Sequence, residues 1–137
     1  MLPKIEKKIQ SIEEIYSILE EISPECHKKF LTDKIYRGAL FHYLYLIADS
    51  CIALAEMIIR YKKIPRADSY FESIDVLGEF GIIPANFAYK FASIASFRNF
   101  LAHHYEKVDY YIVCEKILNR LPEVRVYLDE VKKNLGL

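Results

Sequence analysis

The stretch "ALFHYLYLIADSCIALAEMII", residues 39–59, decides the fold. Its length suits a membrane span, which needs roughly 20 apolar residues. His42, Asp49 and Glu56 argue against that, because polar and charged groups in hydrocarbon are expensive. A helix apolar nearly all round is also what the centre of a helical bundle requires. The stretch therefore predicts a central helix with neighbours on several sides and no membrane partner.

The flanking sequence fits that reading. Ile5, Ile9, Ile12, Tyr16, Leu19 and Ile22 recur at spacings of three and four, which predicts a first helix over 4–22 that Ser23 and Pro24 end. Thr32 or Asp33 can cap the central helix, which should run to about Tyr61. Ser69 and Glu72 form a capping-box pair for a short third helix that Gly81 stops. Pro84 suits the first turn of a fourth helix carrying Phe87, Phe91, Ile94 and Leu101 on its buried side. Asp109 can cap a last segment whose apolar stripe, from Tyr110 to Val131, keeps helical spacing across Pro122. A proline there costs a backbone bond and bends the axis, so this segment is one kinked helix or two nearly collinear ones. The expected fold is all-α: an up-and-down bundle of about five helices in a single domain over 1–137.

Composition narrows the function. Nineteen basic residues balance nineteen acidic ones, so no strong overall attraction to nucleic acid is expected, and no DNA partner. The start, "MLPKIEKKIQ", is charged and is expected to carry no signal peptide. Cys26, Cys51 and Cys114 are odd in number and far apart, which predicts reduced thiols in a cytoplasmic protein and no structural zinc. His42 is expected to be a core or interface histidine, Cys51 a core residue, and Asp49 a carboxylate that needs a donor. "KKIPR", residues 62–66, is a small basic cluster: a solvated loop, or a contact for RNA backbone.

The chemically able side chains concentrate in "SFRNFLAHHYEK", residues 96–107. Arg98 is permanently charged and forks onto phosphate oxygens. Histidine as a residue type can take up or release a proton near neutrality, which makes His103 a candidate proton carrier. Asn99 can orient either group through its amide. With the 2′-hydroxyl of RNA as nucleophile, a base and a cation would suffice without a metal or other cofactor, and the clusters a metal nuclease needs are missing from the sequence. On a straight helix, however, Arg98 and His103 diverge by about 140°. Either the helix ends near Ala102, or long side chains converge over its end, or a second copy of the chain supplies the missing half. Taken alone, these residues equally fit a helix C-terminus with cationic side chains on the last carbonyls.

The same stretch resembles a known family. "RNFLAH" fits the R-x4-H signature of HEPN domains, and "HHY", residues 103–105, extends it to the R-x4-H-x-Y form of the HEPN toxins in HEPN–MNT toxin–antitoxin modules, the HepT group. "YFESIDVLGEFGIIP", residues 70–84, and "IADSCIALAEMII" are similar to that family's order of elements, so the resemblance covers nearly the whole chain. It implies a homodimeric, metal-independent endoribonuclease of a type VII-like toxin–antitoxin pair, acting on RNA, with Arg98 and His103 as the catalytic pair and Asn99 in support. It implies that Tyr105 is AMPylated by an MNT-family nucleotidyltransferase antitoxin, with or without a lasting complex. It also implies that the two motifs meet across the dimer, which would answer the divergence on one helix. His104 falls at the variable position and receives no catalytic role. Two other functions use the same residues differently: a non-catalytic nucleotide- or substrate-binding subunit of a nucleotidyltransferase, and a purely structural helical dimer.

Overall fold

A computed structural model describes residues 1–104 and 109–137, the side chain of His104 excepted. The described residues form helices α1 (Leu2–Ile22), α2 (Cys26–Lys29), α3 (Lys34–Tyr61), α4 (Tyr70–Glu79), α5 (Ala85–Phe91), α6 (Ile94–His104) and α7 (Pro122–Leu135). A π-helical turn, Ile112–Ile117, and a 3₁₀ turn, Leu118–Arg120, lead into α7. The fold is the expected all-helical bundle.

The 28-residue α3 is the axis, packed by α1, α4 and α6. Leu40, Leu54, Ala55 and Ile58 on it are fully enclosed, which is where its apolar length is spent. Its start is fixed by Asp33, whose side chain accepts the Tyr36 N–H at 3.0 Å. The start of α4 is fixed by Ser69, which accepts the Glu72 N–H at 3.1 Å. Glu72 reaches back one residue further than a standard capping box, accepting the Asp68 N–H at 3.0 Å. Gly81, at φ +74°, turns the chain after α4 in a conformation other residues adopt at a cost. Gly78 allows close packing of α4 on α5, since a Cβ there would sit 2.6 Å from that of Ala88. Tyr127 of α7 is fully buried and donates its hydroxyl proton to the Cys51 carbonyl of α3 at 2.9 Å.

Three expectations are corrected. The helix expected to run on from Pro84 is two helices, broken at Ala92 and Ser93. The Ser93 hydroxyl donates to the Lys90 carbonyl at 2.9 Å, drawing the backbone out of helix, and Arg120 clasps both residues. The cysteines are not all reduced: Cys26 and Cys114 form a disulfide with a Cα–Cα distance of 5.6 Å. Helical folding brings together residues 88 positions apart, which spacing could not reveal. Cys51 is the free, buried thiol expected, its pKa raised by burial. His42 is exposed in the single chain, its ring edge-on to Tyr43, which rules out the core half of the expectation and not the interface half.

Candidate functional site

Arg98 is where α6 meets the centre of the bundle. Its side chain is 18% exposed and turns inward to α3, where its Nε donates to Asp49 Oδ1 at 3.1 Å. Nη2 donates to the Tyr45 hydroxyl at 3.0 Å, and Nη1 to the Asn99 side-chain oxygen at 3.2 Å. The guanidinium carbon lies 5.2 Å from the ring centre of Tyr45 and 5.1 Å from that of Tyr70, the first residue of α4. Tyr45 and Asp49 sit one turn apart on α3 and so share a face. Three helices thus fix one cation.

The electrostatics hold the charge in place. Burial pulls the Arg98 pKa down, but the Asp49 carboxylate, Tyr45 and Tyr70 outweigh it, and the pKa is raised. Of the five N–H donors of a guanidinium, three are used among the described residues. Among those residues one donor on each terminal nitrogen has no acceptor, and such a pair can fork onto a phosphate. Among the described residues the one carboxylate bonded to Arg98 is engaged through Nε, and the terminal nitrogens bond to neutral oxygens.

His103 lies on the same helix, five residues on, and is exposed, as is Asn99. The helix continues to His104. Asn99 joins Arg98 directly through its side-chain oxygen. Tyr105, the expected modification site, lies outside the described residues. After residue 108, Asp109 accepts the Tyr111 N–H at 2.7 Å, and Cys114 is bonded to Cys26. Glu115 pairs with His27 at 2.8 Å, and the Tyr110 ring meets that of His27 edge-on.

Sequence reasoning flagged Asp49 as needing a donor but not which one. The available signal was the Tyr45–Asp49 pair, a hydroxyl and a carboxylate one turn apart within a largely apolar stretch of α3.

With this geometry in view, comparison with known proteins is informative. Residues 9–131 match the family model described as Ribonuclease HepT-like. The chain belongs to the HepT-like ribonuclease family. Arg98, Asn99, His103 and Tyr105 all fall within the HepT-like span. Among solved structures, a tri-AMPylated HEPN toxin of Shewanella oneidensis in complex with MNT antitoxin matches with TM-score 0.84 at 19% identity, covering 94% of this chain and 96% of that one. A MntA–HepT toxin–antitoxin mutant with a tyrosine changed to alanine matches with TM-score 0.83 at 19% identity, covering 94% of this chain and 98% of that one. These two likenesses show a shared fold. Among curated proteins none matches the chain.

Proposed function

We propose that this HepT-like chain is a metal-independent endoribonuclease, the toxin of a toxin–antitoxin pair. The observation that carries the reading is Arg98: a charged guanidinium fixed by Asp49, Tyr45 and Asn99, with one donor on each terminal nitrogen unspent among the described residues. In the proposed reaction His103 takes the proton of the ribose 2′-hydroxyl as its oxygen bonds to phosphorus. The bond from phosphorus to the 5′-oxygen breaks, and that oxygen takes a proton from a second imidazole or from water. Arg98 neutralises charge that builds on the phosphoryl oxygens. Asn99, bonded to Arg98, keeps the guanidinium aligned. A homodimer would bring two copies of the motif to one cleft, which accommodates the angular separation of Arg98 and His103 on α6.

Tyr105 is proposed as the target of an AMP-transferring MNT-family antitoxin. The tri-AMPylated state of the Shewanella oneidensis toxin supports this. AMP on Tyr105, two residues beyond His103, would add negative charge beside a cationic site and oppose RNA entry.

The test is RNA cleavage by the purified chain in the presence of a chelator, with His103→Ala alongside. Cleavage that survives chelation and disappears in His103→Ala is expected. Equal cleavage by both proteins would remove His103 from the mechanism. Nucleotide or RNA binding that depends on Arg98 without any cleavage would instead favour a non-catalytic binding subunit. Mass spectrometry after co-expression with a neighbouring nucleotidyltransferase should find AMP on Tyr105.

A further inference from the structure

Tyr70 meets the Arg98 guanidinium and also lines a cavity of about 620 Å³ between the end of α3, the following loop and the start of α4. Arg60, Lys63 and Arg66 line that cavity together with Tyr70, Glu56 and Asp68. Although two carboxylates line the same space, none of the three cations forms an ion pair or a side-chain hydrogen bond among the described residues. Asp49, Glu56 and Arg60 follow one another on α3 at spacings of seven and four, so one helix face leads from the anchor of Arg98 to the cavity. From Asp49 to Arg60 the helix rises by about 16 Å.

Lys63 adds an independent observation. The end of α3 closes with the Lys63 N–H on the Arg60 carbonyl at 3.3 Å and the Ile64 N–H on the Ile59 carbonyl at 2.9 Å. This arrangement puts Lys63 at the position where glycine is normally found. Lys63 has φ +55°, the one non-glycine residue with positive φ among those described. The fold thus keeps a long cationic side chain at the cavity where a glycine would be more comfortable, and strain of that kind gathers at functional sites.

We infer that this cavity is a subsite for the phosphate backbone of single-stranded RNA, with Arg60, Lys63 and Arg66 holding the strand next to the phosphodiester engaged by Arg98. The inference rests on the ribonuclease reading and names how its substrate is held. Lys63 and Arg66, lining a cavity that shares Tyr70 with the Arg98 site, also give KKIPR a role beyond that of a solvated loop.

The experiment uses the cleavage-dead His103→Ala protein and a fluorescent single-stranded RNA oligonucleotide, titrated across a salt series. Substituting Arg60→Ala, Lys63→Gly and Arg66→Ala together should weaken binding at least about tenfold and flatten the logarithmic salt slope by about 2, as expected for three lost phosphate contacts on a single strand. Lys63→Gly alone is the sharper test: it should raise the melting temperature by relieving the positive φ, yet weaken RNA binding a few-fold, with Lys63→Arg restoring the binding. A more stable Lys63→Gly protein with unchanged RNA affinity, or an unchanged salt slope in the triple variant, overturns the subsite while cleavage by the unsubstituted chain leaves the ribonuclease reading standing. Loss of ATP binding in the triple variant with intact RNA binding assigns the cavity to a different ligand and also overturns it. If the unsubstituted chain neither binds nor cuts RNA, both readings fall.

Discussion

Arg98 and Arg120 are both multiply bonded arginines, and they are built for opposite ends. Arg120 forks onto Glu123 through Nε at 2.8 Å and Nη2 at 3.0 Å. It also donates to the Ser93 hydroxyl and the Lys90 carbonyl, stitching the approach to α7 to the break between α5 and α6. Its charge meets a carboxylate in the geometry that best cancels it. Arg98 touches its carboxylate once, through Nε, and is otherwise flanked by two rings and two neutral oxygens. Both guanidinium groups are held through all three nitrogens, but Arg98 meets a carboxylate through Nε alone, while Arg120 is forked onto one and is a structural clasp.

The largest effect that separates the two is on cleavage. Arg98→Ala should lower the rate of RNA cleavage by about 100-fold or more, the scale for losing a charge-stabilising donor. Arg120→Ala should leave the rate within about threefold, since nothing places it at a reacting group. A folded Arg120→Ala protein that cannot cut RNA would show that the contrast has been drawn in the wrong place.

Next in size is the covalent tie. The Cys26–Cys114 bond closes a loop over 88 residues and holds the segment after the motif against α2. Its removal by Cys114→Ser, or its reduction with dithiothreitol, should cost about 2–4 kcal/mol in chemical denaturation. The two treatments should agree; a reductant that leaves the midpoint unchanged would mean that the thiols are not joined. A smaller stability effect belongs to Arg120. Its partners are half-exposed, so screening limits the ion pair, and Arg120→Ala should cost about 1 kcal/mol in the same measurement.

Which parts of this were legible in the sequence follows from the range of the interactions involved. The ends of α3 and α4 are set by contacts within three or four residues, Asp33 with Tyr36 and Ser69 with Glu72, and these leave a local signature. The break at Ser93 leaves none: Phe87, Phe91 and Ile94 keep helical spacing through it, with no glycine or proline at the break. What stabilises the break is Arg120, 27 residues away. The disulfide was hidden for the same reason. At the site, Arg98, Asn99 and His103 were visible as residue types in a dense cluster, and the roles proposed for them came from resemblance to the family signature. The direction in which Arg98 points was not visible, because it is decided by Tyr45, Asp49 and Tyr70 on two other helices.

The finest test separates what the two tyrosines do for Arg98. Tyr45 offers both a ring and a hydroxyl, and the hydroxyl accepts the Nη2 proton at 3.0 Å. Tyr70 offers its ring at 5.1 Å, and its hydroxyl makes no hydrogen bond among the described residues. Tyr45→Phe keeps the aromatic contact and deletes one acceptor. A hydrogen bond to a charged group contributes about 1.5–3 kcal/mol, but a half-exposed site returns part of that through water. The expected loss of cleavage rate is therefore a few-fold, with substrate affinity changed less than turnover if the hydroxyl serves to aim the guanidinium. Tyr70→Phe should be silent in both parameters, because the ring is retained and no bond is lost. Tyr70→Leu, which removes the ring, should match or exceed the Tyr45→Phe effect, since a cation over an aromatic face gains about 0.5–2 kcal/mol. If Tyr70→Phe proves as damaging as Tyr45→Phe, the Tyr70 hydroxyl must act on the substrate itself, and the boundary between the Arg98 site and the neighbouring cavity would have to be redrawn on the far side of that ring.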